Sequence, residues 1–135
     1  MPALRRKRAR TAQPRLGCGV DVVDLPRFRR TLKRGGEAFL RRVFTPQEVA
    51  YAKARRRTTL LHLAGRFAAK EAVIKALSQI DPTRILAMNQ VEVRNDRWGR
   101  PHILLHDKHS PGITAHVSLS HVDTVAVASA IVTRR

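Results

Sequence analysis

From Leu16 to Val23 the residues alternate: Leu16, Cys18, Val20 and Val22 share one face, and Gly17, Gly19, Asp21 and Val23 share the other. This predicts a strand with one greasy face. On the opposite face, glycine two and four positions before Asp21 predicts close approach by a ligand or another backbone. Asp24-Leu25-Pro26 reads as a helix start with Asp24 as N-cap. Gly35-Gly36 ends that helix, and a short segment, Glu37 to Val43, follows. Thr45-Pro46-Gln47-Glu48 is a capping box with proline at the first helical position, opening a helix that runs into Arg55-Arg56-Arg57. Leu60, Leu63, Ala64, Phe67, Ala68, Ala72 and Leu77 recur at helical spacing, predicting a long helix from Thr59 to about Ser78. Strands are predicted at Val91–Arg94 and His102–His106, joined by the turn Asn95–Pro101, and again at Ile113–Ser120 and Thr124–Val132. The order is strand, three helical segments, four strands: an α+β fold with helices packed on a largely antiparallel sheet.

Composition narrows this to one domain. The 135 residues are 43% hydrophobic but only 4% aromatic, so the core must be aliphatic. The single cysteine, Cys18, excludes an internal disulfide framework and a multi-cysteine zinc site, and fits a reducing compartment such as the cytoplasm. No apolar run approaches a membrane span, and no apolar stretch follows the basic start to make a secretory signal.

Charge changes the picture most. Lys and Arg number 27 against 10 Asp and Glu, a net charge of +17. Residues 1–15 hold six of the cations and no acid, and read as a disordered basic tail before a single domain over 16–135. The domain remains strongly basic without them, so an acidic partner is expected: nucleic acid, an acidic protein or a phosphorylated small molecule. Charge alone favours nucleic acid. The scarcity of aromatics for base stacking, and a charge spread over helices rather than one stripe, count against it.

The long helix carries Arg66, Lys70, Glu71 and Lys75 at spacings that gather three cations and a carboxylate along one side. Read plainly, this is a solvated helix with a Glu71–Lys75 ion pair. Its wall of Ala64, Gly65, Ala68, Ala69, Ala72 and Ala76 predicts that something packs or binds very close. Asp21, an acid inside an apolar strand, is either paired with an arginine or a ligand for a hard cation such as Mg²⁺. His121 follows the last residues of a strand and falls on the face of Val117 and Leu119. The other five histidines show no metal-ligand spacing.

Four segments together carry a resemblance: Gly19-Val20-Asp21-Val22-Val23-Asp24-Leu25, Leu63 through Ala72, Asn95 through Pro101, and Val117-Ser118-Leu119-Ser120-His121. In content, order and spacing the chain from Leu16 to about Val132 resembles the stand-alone bacterial phosphopantetheinyl transferases, the holo-[acyl-carrier-protein] synthases. The resemblance implies that fold, a homotrimer with active sites at subunit interfaces, and transfer of 4′-phosphopantetheine from coenzyme A to a serine of an apo acyl carrier protein. It implies Mg²⁺ held by Asp21 and Glu71. It further implies phosphates neutralised by Arg66, Lys70 and Lys75, with Lys75 also able to protonate the leaving group. Gly99, Arg100 and Pro101 would stand near the nucleotide end, and His121 near the phosphates. The acidic carrier would dock on the first helix at Arg27, Arg30, Lys33 and Arg34. Neither nucleic acid nor a membrane is then an expected partner. The chain departs from the family where a glycine-rich loop usually follows the long helix, since it has Ser78-Gln79-Ile80-Asp81-Pro82 there, and in its longer basic start. The small residues Ala126, Ala128 and Ala130 of the last strand are suited to close packing between subunits.

Overall fold

The computed structural model describes residues 14–135. The tail expected over 1–15 lies outside the described residues except for its last two. Of these Arg15 belongs to the fold: its carbonyl accepts from the Arg134 amide at 2.8 Å. The elements are β1 (Leu16–Asp24), α1 (Leu25–Val43), α2 (Pro46–Ala54), α3 (Thr59–Ile80), β2 (Val91–Asn95), β3 (Pro101–Leu105), β4 (Ile113–His121) and β5 (Val125–Arg134), with single 3₁₀ turns at Arg56–Thr58 and Met88–Gln90. All pairings are antiparallel, but the strands form two sheets rather than one: a three-stranded sheet in the order β1-β5-β4 and a β2-β3 hairpin.

Helix α3 lies across the larger sheet and explains two features of the sequence at once. A Cβ built on Gly19 would stand 2.0 Å from the Ala72 carbonyl oxygen, and one on Gly17 would stand 2.0 Å from that of Ala76. The glycines of β1 and the alanines of α3 are therefore each other's close partner: backbone meets backbone along a seam that no side chain could enter. Of the two partners expected at the glycine face, another backbone is the one found there. The glycine face, with Asp21 and Val23, is the inner one, because only it lets a helix come so near. Leu16, Val20 and Val22 lie outside, the last two 58% and 61% exposed, beside Ile131 of β5. Ala126, Ala128 and Ala130 also point inward and are buried with Ala64, Ala68 and Ala72 in the core, so they are not available for packing between subunits.

Helix α1 begins as expected, with the Arg27 amide donating to Asp24 Oδ1 at 3.0 Å. The glycine pair interrupts it as expected, and the segment after it is itself helical. Gly36 adopts φ +53°, which bends the chain, and the helix resumes to Val43. The bend brings Phe39 back to Phe28 and Phe67, with ring centroids 5.4–6.4 Å apart. The capping box of α2 forms as read, but its Glu48 does more than cap. Glu48 is buried. Its Oε1 accepts from the Thr45 amide at 2.9 Å and from Lys70 Nζ at 2.5 Å, and its Oε2 accepts from the Val93 amide at 2.9 Å. One carboxylate thus joins α2, α3 and β2.

Candidate active site: two clefts on opposite flanks of α3

Asp21, near the end of β1, faces inward beside the seam, and Glu71 projects from α3 just ahead of the seam's Ala72. With Arg27, Phe28 and Thr31 of α1 they line a pocket of about 340 Å³. Two carboxylates fifty positions apart thus share one wall. Burial and then the Asp21 charge push the Glu71 carboxyl above the usual carboxylate range, with Lys75 opposing. Lys75 does not make the expected pair with Glu71. It reaches across to the strand, where its Nζ donates to Asp21 Oδ1 at 2.9 Å and to the Val20 carbonyl at 3.0 Å. Asp21 is therefore ion-paired, but with a lysine rather than an arginine. Two mutually repelling carboxylates fit a hard divalent cation, which relieves that repulsion. Among the described residues no third histidine, cysteine or acid joins them.

Arg66 and His121 lie on the other flank of α3, in a cleft of about 310 Å³ that His62, Gly65, Asn95, Gly99 and Pro101 also line. Arg66 is buried, and its guanidinium is oriented from two sides. Nη2 donates to Asn95 Oδ1 at 2.7 Å, and the Tyr51 ring centroid stands 4.2 Å from its Cζ. Asn95 in turn donates through Nδ2 to the Gly99 carbonyl at 2.9 Å, tying the helix to the β2–β3 turn. Burial lowers the Arg66 pKa from its ordinary value, against Tyr51 and Glu48. Its Nε is buried with no hydrogen-bond partner, a donor that an anion in the cleft would satisfy. The turn itself is knotted around Asp96, which accepts from the Trp98 and Arg100 amides, each at 2.9 Å, and from Arg100 Nε at 2.8 Å. Gly99 and Pro101 reach the cleft; the Arg100 side chain is held on Asp96 and beside Trp98, 4.9 Å from its ring centroid. His121, exposed at the end of β4, closes the cleft's rim.

Lys70 requires a correction. It does not line either cleft with Arg66 but is wholly buried, and its three ammonium protons have three acceptors: Glu48 Oε1, the Val43 carbonyl at 2.8 Å and the Met88 carbonyl at 3.1 Å. No proton is left for a phosphate. The four charged residues of α3 thus do not share one side. Arg66 and Lys70 turn toward α2 and β2, and Glu71 and Lys75 toward β1. On α1, Arg27, Arg30, Lys33 and Arg34 are all exposed, Arg27 at the rim of the carboxylate pocket. Reasoning from the sequence missed Tyr51, His62 and Asn95. Asn95 had a signal, as the first residue of a quoted turn, and His62 another, one helical turn before Arg66.

The family model for the 4′-phosphopantetheinyl transferase superfamily matches residues 17–130. The chain belongs to that superfamily. Among curated relatives, the transferase is 40% identical over 125 residues to the holo-[acyl-carrier-protein] synthase of Mycolicibacterium smegmatis, covering 87% of this chain and 95% of the relative. It is 36% identical over 122 residues to that of Koribacter versatilis, covering 86% and 96%. Among solved structures it matches an ACPS–CoA complex from Chronobacterium ammoniagenes with a TM-score of 0.77 and 33% identity, over 89% of this chain and 98% of that one. These three synthases leave the nucleic-acid alternative without support.

Proposed function

We infer that the transferase moves 4′-phosphopantetheine from coenzyme A to a serine hydroxyl of an apo acyl carrier protein. The serine oxygen attacks the phosphorus that bears the pantetheine arm, and the bond to adenosine 3′,5′-bisphosphate breaks. The observation that carries this reading is the division of the site. The cationic cleft of Arg66 and His121 and the acidic pocket of Asp21 and Glu71 lie at opposite edges of the β1-β5-β4 sheet. A second copy of the chain is what brings one next to the other. The exposed Leu16, Val20, Val22 and Ile131 offer an apolar sheet face for that contact, and we read the assembly as a homotrimer with its active sites at the subunit interfaces.

Within this reading Arg66 and His121 hold the nucleotide-end phosphates, with Gly99 and Pro101 against the nucleotide and Arg100 beside them. Asp21 and Glu71 would hold Mg²⁺, which supplies charge neutralisation at the pyrophosphate. Lys75, exposed and paired with Asp21, would give a proton to the departing phosphate oxygen. The work asked of the protein is positioning and charge stabilisation, which two rigid half-sites can deliver. Arg27, Arg30, Lys33 and Arg34 would receive the acidic carrier beside the carboxylate pocket. The site of action would be the cytoplasm.

The test is incubation with Mg²⁺, coenzyme A and a panel of apo carriers, with products weighed. A carrier gaining the mass of phosphopantetheine is expected, and no gain on any carrier overturns the reading. Mixing Arg66→Ala with Glu71→Gln chains, each inactive alone, should restore turnover. Failure of the mixture to recover any activity after subunit exchange refutes the shared site.

A further inference from the structure

His62 belongs to no motif, yet it stands in the middle of the cationic cleft. It sits one turn before Arg66 on α3, half-buried, and lines the cleft that Arg66 and His121 share. From α2, the Tyr51 ring meets its imidazole edge-on, with centroids 5.4 Å apart and planes at 86°. The same Tyr51 ring carries the Arg55 guanidinium at 3.3 Å and that of Arg66 at 4.2 Å. The groups facing His62 are therefore Tyr51 and Arg55 at the end of α2, Arg66 on its own helix and His121 from β4. None of them is a carboxylate. Burial, Arg66, Arg55 and His121, in that order, lower the His62 pKa from the usual histidine value of 6.5. In the free protein burial, and then the cations that make the cleft attractive to an anion, disfavour the protonated imidazole.

An anion entering the cleft reverses that balance. It neutralises the field of Arg55 and Arg66 and offers an acceptor to a second N–H. We propose that His62 is a third, proton-dependent ligand for the phosphate end of coenzyme A, taking up a proton as that phosphate settles beside Arg66 and His121. The proposal rests on the transferase reading and adds a binding residue to it. Proton uptake couples affinity to acidity: a rise of one unit in the His62 pKa on binding corresponds to about a tenfold gain in affinity once the imidazole is protonated.

The experiment follows the histidine ring resonances by NMR across a pH series in the full chain, free, with coenzyme A, and with inorganic sulfate, whose charge does not change over that range. His62→Phe, which keeps the ring edge against Tyr51, assigns the signal. The His62 midpoint should lie below 6.5 in the free chain and rise by about a unit with either ligand. The ratio of coenzyme A dissociation constants, His62→Phe over wild type, should approach about tenfold at acid pH and fall to about one in alkali, where the imidazole is neutral in both states. If coenzyme A binds while the His62 midpoint stays where it was, the proposal is overturned and the transferase reading stands. If coenzyme A binds at no pH, both fall.

Discussion

The two flanks of α3 are held by different physics. Toward β1 the helix is fixed by absence: glycines without side chains let its backbone lie on the strand, and Asp21 is placed against Glu71 by steric closeness. Toward α2 and β2 it is fixed by a buried charge pair, Lys70 with Glu48, whose remaining lone pairs and protons are satisfied by backbone groups. The backbone contact of the first joint cannot be loosened by degrees and carries no charge to titrate. The second depends on both partners being present and charged. Each joint positions one half of the divided site, so each half should fail in its own manner.

The largest effect is expected at the seam. Gly19→Val places carbon where the Ala72 carbonyl already is and should give no cooperatively folding chain. Even Gly19→Ala should cost about 3 kcal/mol or more in urea melts. Wild-type stability in Gly19→Ala would mean the seam is looser than described. Next is the pin. Lys70→Met leaves a buried carboxylate unpaired and should cost about 3–5 kcal/mol, part of which Glu48→Gln added in the same chain recovers. Where Lys70→Met remains folded, it should bind coenzyme A nearly as well as wild type, because Lys70 contacts no ligand. A loss as large as that of Arg66→Ala would return Lys70 to the site. Removing the cap alone by Thr45→Ala should cost about 1 kcal/mol, readable as a small shift in the melt.

The smallest effect is acid weakening confined to one flank. Hydrogen bonds from His106 and Arg94 hold the Glu92 carboxyl of β2 below its ordinary value despite its burial. Ser110 and Arg84 do the same for Asp107, just beyond β3. A depressed pKa contributes stability that is present above the unfolded value, near 4.5 for Glu92 and 3.8 for Asp107, and is lost as pH falls through the folded value. Amide exchange should therefore accelerate in the β2–β3 hairpin before it does at the β1–α3 seam. Simultaneous loss of protection would show that the two flanks open as one unit.

What could be read from the sequence was what chemistry keeps local. The Thr45–Glu48 box, the Asp24 cap and every strand and helix followed from neighbours a few residues apart. In β1, alternation identifies two faces without saying which is inner. Greasiness pointed one way, closeness of approach pointed the other, and closeness won. Lys70 was misassigned for a related reason. Helical spacing groups it with Arg66, but which stripe of α3 meets Glu48 depends on where α2 lies. The meeting of Asp21 and Glu71 came only through family resemblance, since nothing in either segment reports a contact across fifty residues.

Strand order also sets a schedule. β5 is the last element of the chain and occupies the middle of its sheet, pairing Thr133 with Leu16 and Arg134 with Ile113. During synthesis β1 emerges first and waits for a neighbour until nearly the whole chain has been made. The loop that must close between them spans almost the entire domain, placing this protein among the slower folders of its size, on the order of milliseconds to seconds. For that interval β1 can lie on α3 but has no strand to pair with. The nascent chain therefore carries an apolar strand with its hydrogen-bonding edges unpaired, which a chaperone or a neighbouring nascent copy can meet.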